Sequence, residues 1–425
     1  MIYPSLTDSQ MKKSQRLFIA YNLFNGLGFL CVGGTVMTLL INRLGFPDYV
    51  FTIYAALFNI GCIWLPLGKI ATQKWGAART QSNFWFLRNF ASLLMGSCAV
   101  CVVFGYPTIG VVLFFTGAFV FYGCRAAGGV MTTALVGNIT TPDGRGKLLA
   151  FASMANNIVA AVGNISLTVA LFYVDKLSNN HAIMALYGII IFGSLCGMFS
   201  ALCLRNIDES DALKKAAQKP LIADAWVCLK SSAFRRMAIG HVCFSLAMAF
   251  TTSLNMLVLK RGFQIPDSFA LAISFISSMI SVAVARPVSI VGDKFGPRKG
   301  LIIGYCFTFL VILFWQVVPA SFNWASVAIL VSLTSCCSLF CGICFGQYFL
   351  KCIPVEHQPS ASTLNSLING VLTGFIAMLL TTLLWNCCDW LGYEEINMLR
   401  YRVFFRLALP FVGLGLIGVW MQKEV

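Results

Sequence analysis

The sequence predicts an all-α polytopic membrane protein with 12 transmembrane helices in two pseudo-symmetric six-helix halves. Of its 425 residues, 58% are hydrophobic and only 11% are charged, and the mean hydropathy is +0.81. A soluble domain of this size needs more polar surface than that. The apolar runs are continuous and lack the two-residue alternation of barrel strands, which indicates helices. An internal repeat indicates the two halves.

Twelve apolar runs have the length of about 20 residues that a helix needs to cross the hydrocarbon core. The predicted spans are 17–41, 49–72, 82–104, 109–135, 148–174, 183–204, 237–259, 268–291, 300–318, 324–350, 362–386 and 403–421. One long polar segment separates the sixth span from the seventh. We therefore predict an N-terminal half over 1–204, a linker over 205–236 and a C-terminal half over 237–425.

The repeat lies in two stretches that begin with Gly-Phe and Pro-Asp, continue as an apolar run to a proline, and end in a basic turn. The matched residues are Asp48, Pro66 and Gly76 in the first half and Asp267, Pro287 and Gly296 in the second. Many membrane carriers are built from two such copies of one unit. The repeat therefore favours a carrier.

The net charge of +15 comes from Lys and Arg residues whose uneven distribution indicates the membrane topology. Of the 30 Lys and Arg residues, 20 fall on the predicted side of the N-terminus and 7 on the opposite side, with Lys69 and Arg406 at span ends counted with the adjoining loops, while Arg88, Arg125 and Arg286 fall inside spans. By the positive-inside rule both termini are cytoplasmic. The same distribution argues against a nucleic-acid partner.

The linker predicts a short helix on the cytoplasmic surface. Pro220 suits a helix start, because its missing N–H would have no partner there. Apolar residues then recur on one face at helical spacing: Leu221, Ile222, Ala225, Trp226 and Leu229. A plain tether is the alternative.

The 17 cysteines indicate neither a metal site nor a disulfide framework. Most lie in apolar runs, and Cys341 and Cys344 have no second pair at metal-ligand spacing. Buried thiols of this kind behave as small hydrophobic groups. We expect no cofactor and no metal.

The basic turns after spans two and eight resemble a motif of the major facilitator superfamily, a Gly-x-x-x-Asp-Arg-x-Gly pattern. The second copy, Gly292 to Gly296 followed by Arg298, is the better match. The first copy has Thr72-Gln73 where the family usually has an acid. Span four adds Arg125-Ala126-Ala127-Gly128-Gly129, which is similar to the family's intramembrane arginine pattern. The glycine-proline signature of drug/proton antiporters is missing from span five.

The resemblance implies that these turns form a cytoplasmic gate that locks two helix bundles when the outside is open. The gating residues would be Gly68, Lys74, Gly76, Arg79, Gly292, Asp293, Lys294, Gly296 and Arg298. Asp293 could pair with an arginine or cap a helix N-terminus, where negative charge is favoured. A simple positive-inside anchor would explain the lysines and arginines, but not Asp293 or the glycines.

The resemblance also implies a cavity lined mainly by spans one, four, seven and ten, with help from five and eleven. The candidate substrate-binding residues on these spans are Arg125, Tyr122, Asn22, Asn25, Asn156, Asn157, His241, Asn255, Asn365 and Asn369. Asparagine amides donate and accept hydrogen bonds, which suits small polar solutes. Hydrogen bonding between helices is the alternative role. Arg125 is the deepest arginine, whereas we expect Arg88 and Arg286 to snorkel towards the cytoplasm.

All fifteen acidic residues fall outside the predicted spans or at their ends. Ion-coupled carriers usually keep a carboxylate at membrane depth, and here only His241 titrates near neutral pH within a span. A uniporter or exchanger therefore has as much support as a proton symporter.

We predict a monomeric multi-pass transporter of a small polar or anionic organic solute in a bacterial inner membrane, working by alternating access. The lipid bilayer and the solute would be its partners. The alternatives are a proton-coupled drug or metabolite exporter, a polytopic membrane enzyme, and a sensor that does not transport.

Overall fold

The computed structural model describes the chain except residues 1–5, 141–144, 175, 212, 215–225, 227, 253, 319–322, 353–357, 394–397 and 422–425. Every regular element in the described residues is a helix, and each of the twelve predicted spans corresponds to helical structure.

The helices of the first six spans follow the chain in order. They are Asp8–Val32 and Gly34–Arg43 (span one), Asp48–Ile60 and Leu65–Trp75 joined by the 3-10 turn Gly61–Trp64 (two), Ala77–Gly96 and Cys98–Val103 (three), Pro107–Gly129 (four), Arg145–Val174 (five) and Asn179–Arg205 (six). A short helix, Thr132–Asn138, follows span four. Span one begins with a capping box, in which Thr7 and Gln10 each bond the other's backbone N–H.

The helices of the last six spans also follow the chain in order. They are Ser232–Ala249, Asn255–Leu257 and the π-helical turn Val258–Gly262 (span seven), Asp267–Phe295 (eight), Pro297–Val317 (nine), Trp324–Cys352 (ten), Gln358–Trp390 (eleven) and Met398–Trp420 (twelve).

Within the described residues, nine helical segments are long and apolar enough to cross a membrane. Spans five and eight supply shorter apolar stretches there, Val162–Val174 and Asp267–Ser281. Span seven was predicted as one helix over 237–259, but it is interrupted after Ala249. Thr251 and Thr252 both donate hydrogen bonds to the carbonyl of Met248, at 3.2 and 2.6 Å. Such bonds compete with the helical ladder and bend helices, which accounts for the break.

The described residues form two compact units. Unit 1 comprises Met1–Phe46, Ile60–Ser166 and Lys176–Leu221, and unit 2 comprises Pro47–Asn59, Leu167–Asp175 and Ile222–Val425. Unit 2 thus includes one end of span two, where Thr52 accepts a hydrogen bond of 2.9 Å from Trp385 Nε1. The predicted domain boundaries at 204 and 237 remain predictions.

The two units share several packing pairs. In unit 1, span one packs on span six, and span three packs on spans four and six. In unit 2, span seven packs on span twelve, and span nine packs on spans ten and twelve. Adding six to each span number in unit 1 gives the pairs in unit 2. The sequence repeat predicts such a correspondence between the two units.

The linker helix predicted on the cytoplasmic surface falls largely outside the described residues. Trp226 and residues 228–230 are helical, and the Trp226 side chain is exposed. Lys230 Nζ lies 5.8 Å from the centre of that indole.

Candidate functional site

A polar cluster in unit 1 is centred on Asn25, midway along span one. Its Oδ1 accepts two hydrogen bonds from span three, from Trp85 Nε1 at 2.9 Å and from Arg88 Nη2 at 2.7 Å. Its Nδ2 makes no hydrogen bond to any described residue. Because Trp85 and Arg88 are about one helical turn apart, both reach the same acceptor. The arrangement fixes the orientation of the Asn25 amide and leaves its donor group available.

Arg88 is the most buried cation of unit 1, with an exposed fraction of 2%. The expectation that it snorkels to the membrane surface is wrong. Its guanidinium lies over the rings of Trp85 and Phe121, at 4.7 and 5.5 Å from their centres. Stacking and the bond to Asn25 hold it inside the unit, and its Nε–H has no hydrogen-bond partner among the described residues.

Arg88 forms no ion pair with any described acidic residue; its other polar contact is Asn89 Oδ1 at 3.5 Å. Ring faces and amide oxygens stabilise a cation without cancelling its charge. A buried cation in a membrane costs at least about 2.5 kcal/mol on insertion scales. The cluster therefore carries a positive potential that an anion would offset.

Arg125 and Tyr122 of span four lie near this cluster. Tyr122 is buried and Arg125 is half-buried. Arg125 lies close enough to Arg88, Tyr21 and Tyr122 for its charge to affect them. Tyr21 in turn accepts a hydrogen bond of 3.5 Å from Gln81 Nε2. Two arginines and two tyrosines are thus neighbours in this part of unit 1.

Asn22 differs from Asn25 in its contacts, although both were predicted to bind the substrate. Its Nδ2 donates a hydrogen bond of 2.8 Å to the carbonyl of Phe18 in its own helix. This bond uses one of its two amide donors locally. Asn156 and Asn157 lie in the helix of span five, but their side chains are outside the described residues.

A second polar cluster lies in unit 2, around His241 of span seven. Its Nδ1 is 3.1 Å from Asn365 Nδ2 on span eleven. An amide nitrogen only donates, so Nδ1 accepts and a neutral imidazole carries its proton on Nε2. The ring stacks on Phe345 of span ten, with 3.8 Å between centres and 22° between planes. Asn365 Oδ1 is buried without a described hydrogen-bond partner.

The other predicted asparagines of unit 2 make no described hydrogen bond to His241 or Asn365. Asn369 Oδ1 accepts a hydrogen bond of 3.3 Å from Thr373. Asn255 begins the short helix after the break in span seven, and its Oδ1 is buried with no hydrogen-bond partner among the described residues. Of the predicted residues on spans seven and eleven, the structure pairs His241 with Asn365.

The first basic turn is built around Gly76, which ends one helix and begins the next. Its φ of +85° lies in a region where a side chain would be strained. Thr72 donates a hydrogen bond of 2.7 Å to the carbonyl of Gly68 one turn earlier. Lys74 and Arg79 point to solvent, and both are exposed.

Glu209 supplies the acid that the first turn lacks, and the sequence reasoning missed it. Its two carboxylate oxygens accept hydrogen bonds from the N–H groups of Ala77 and Ala78, at 3.2 and 2.6 Å. A carboxylate is favoured at a helix N-terminus because the backbone dipoles and free N–H groups point towards it. The available signal was an acid directly after span six, on the same predicted side as the turn.

The second basic turn repeats the geometry at Gly296, again with a φ of +85°. Arg298 Nη2 donates a hydrogen bond of 2.7 Å to the carbonyl of Trp420, at the end of span twelve. The side chains of Asp293 and Lys294, which follow Gly292, fall outside the described residues, so the role expected for Asp293 remains a prediction.

No group of three or more His, Cys, Asp or Glu side chains that could hold a metal occurs in the part of the chain that the structure describes.

The family of the chain follows from a sequence comparison. The sequence profile of the Major Facilitator Superfamily matches residues 88–378, more than half of the chain. The protein belongs to the major facilitator superfamily. No curated protein matches the sequence significantly.

Solved structures of superfamily transporters share this fold along the whole chain. A mutant of the nucleoside transporter NupG has a TM-score of 0.72 at 12% identity, covering 96% of this chain and 100% of its own. A bacterial homologue of the iron transporter ferroportin, in an inward-facing state, has a TM-score of 0.70 at 11% identity, covering 96% and 98%. The xylose transporter XylE from E. coli has a TM-score of 0.66 at 13% identity, covering 98% and 99%. This superfamily member is a multi-pass membrane transporter rather than an enzyme.

Proposed function

We propose that this transporter moves a small polar or anionic organic solute by alternating access, through rocking of its two six-helix halves. The observation that carries the proposal is the buried Arg88 held by Asn25 without a described acidic partner. A solute with a negative group would be attracted into unit 1, where low polarity strengthens Coulomb interactions.

Arg125 is the residue best suited to touch the solute. It is half-buried, whereas Arg88 is enclosed by rings. Arg88 then acts as a positioning residue that orients Asn25 and adds to the local potential. Asn25 Nδ2 and the hydroxyl of Tyr122 would bind uncharged polar groups of the same solute. The solved relatives named for nucleoside and xylose transport support a small polar solute of this size class.

A second candidate mode is proton-coupled transport, which one observation favours. His241 is the histidine that lies within the predicted spans, and its Nδ1 lies 3.1 Å from Asn365 Nδ2. Facilitated diffusion or exchange fits the location of all fifteen acidic residues outside the predicted spans or at their ends. Uptake with and without a pH gradient separates the two modes.

The distribution of Lys and Arg supports cytoplasmic N- and C-termini. We further propose that the transporter works as a monomer in a bacterial inner membrane, consistent with the short loops between its spans.

The test begins with thermal-shift screening of the purified protein against sugars, organic acids, phosphates and nucleosides. Hits are then measured as uptake into proteoliposomes, each anionic hit beside a neutral analogue. We expect Arg125→Gln to weaken the apparent affinity for the anionic solute about tenfold relative to its analogue, which is about 1.4 kcal/mol.

Arg16→Gln is the matched control, because Arg16 is exposed at the start of span one and should leave both affinities unchanged. Full uptake of the anionic solute by Arg125→Gln would contradict the proposed contact. Uptake that requires a pH gradient and is lost in His241→Gln would select the proton-coupled mode.

A further inference from the structure

A polar cavity lies in unit 1, at the face where span one begins and spans two and six end. Its volume is about 650 Å³, within the range of small-molecule sites. It is distinct from the Asn25 cluster, since the two share no lining residue. The charged side chains that line it are Lys13, Lys74, Arg79, Arg205, Lys214, Asp208 and Glu209.

The two acids of this cavity are already engaged. Asp208 lies 3.6 Å from Lys13 Nζ. Both oxygens of Glu209 accept hydrogen bonds from the backbone N–H groups of Ala77 and Ala78. Five basic and two acidic side chains leave a net charge of +3 among the residues that line the cavity.

Three of the cations have no such partner. Lys74, Arg79 and Arg205 are exposed and make no hydrogen bond or ion pair with any described residue. Lys214, by contrast, pairs with Asp211 at 3.3 Å. Three such cations around one concave space give it a positive potential that favours an anion.

We propose that this cavity binds a phosphate group, as a phospholipid headgroup or as a soluble phosphate compound. Arginine guanidinium groups match phosphate oxygens with paired donors, and lysine adds a point charge. A phosphate monoester or pyrophosphate carries close to the charge of the three free cations, and the phosphodiester of a phospholipid offers the same kind of oxygen acceptors with a single charge. The cavity lies at the ends of membrane-spanning helices, so a headgroup and a soluble ligand can both reach it.

The test consists of two binding measurements, or arms, on purified full-length protein in detergent. In one arm the protein is titrated with inorganic pyrophosphate, and in the other with phosphatidylglycerol, with phosphatidylcholine for comparison. Native mass spectrometry counts the bound ligand in both arms. The variant is Lys74→Gln/Arg79→Gln/Arg205→Gln. Its matched control, Lys12→Gln/Arg16→Gln/Arg235→Gln, removes the same charge from exposed residues that do not line the cavity.

We expect wild type and control to bind with similar affinity and the cavity variant to bind at least about tenfold more weakly. Binding in one arm alone identifies the source of the phosphate. Equal weakening in both variants would mean non-specific attraction to a basic protein, and would overturn the proposal. Absence of binding in both arms would overturn it as well. Neither result depends on transport, so the proposed solute is tested separately.

Discussion

Two buried arginines, one in each compact unit, have similar surroundings and different electrostatic partners. Arg88 in unit 1 and Arg400 in unit 2 are each 2% exposed. Their guanidinium carbons lie 4.7 and 4.6 Å from the ring centres of Trp85 and Trp385. Arg400 pairs with Asp389 at 2.8 Å, however, whereas Arg88 bonds the neutral amide of Asn25.

Arg400 is therefore a structural cation, whereas the charge of Arg88 remains available to attract a solute. The field of Arg400 is largely cancelled by its carboxylate, so its role is to join span twelve to the end of span eleven. Arg88 keeps its field, because an amide dipole and two aromatic faces do not remove a net charge. Anion recognition is therefore expected from unit 1. The His241 cluster of unit 2 offers neutral hydrogen bonding when the imidazole is unprotonated.

Substituting each arginine tests the comparison most directly. We expect Arg88→Gln to lower uptake of an anionic solute up to about tenfold, about 1.4 kcal/mol, because Asn25 loses its charged donor and unit 1 loses part of its positive potential. We expect Arg400→Gln to lower the thermal unfolding temperature and leave the apparent KM unchanged, since it unpairs a structural ion pair. Proteoliposome uptake and thermal unfolding of both variants measure these effects. Equal losses of uptake in the two variants would show that the difference in partners has no functional consequence.

A smaller effect is expected at Glu209, the acid that caps span three within unit 1. Glu209→Gln keeps the side-chain shape but removes the charge that faces Ala77 N and Ala78 N. The free energy of unfolding should fall by about 1 kcal/mol, as for other helix caps. Asp211→Asn is the control, because its exposed pair with Lys214 contributes little. A thermal shift as small for Glu209→Gln as for Asp211→Asn would mean that the cap adds no stability.

The smallest effect is expected from the neutral cluster of unit 2. His241→Gln should change uptake, but should alter the preference for an anionic solute over its neutral analogue by less than about threefold, below about 0.7 kcal/mol. Competition between the two solutes in one proteoliposome preparation measures this ratio. A tenfold loss of the preference would assign anion recognition to unit 2 as well, and the contrast between the units would fail.

The fold was largely predictable, because hydropathy, continuous apolar runs and a tandem repeat each depend on local sequence. Helices occur at all twelve predicted positions, and the basic turns share Gly76 and Gly296 at the same backbone conformation. The break in span seven was missed, although Thr251 and Thr252 are a local signal for it. It was hidden by the strong hydropathy of the run.

The site was less predictable, because it depends on which side chains of different spans meet. Asn25, Arg125 and His241 were candidates because of their residue types and because the family resemblance implies that their spans line the cavity. That Arg88 is buried against Asn25 and Trp85 could not be read from its distance to the end of span three. Glu209 lies 132 residues from Ala77 in the chain, and only the packing of span six on span three brings them together.

The glycines of the two basic turns also limit how far the repeats can diverge. Both have a φ of +85°, a conformation that residues with a β-carbon rarely adopt. The acid of the first turn comes from a different part of the chain, yet the hinge between consecutive helices is the same in both turns. Among related sequences, we therefore expect the charged residues of each turn to vary most and the glycine to vary least.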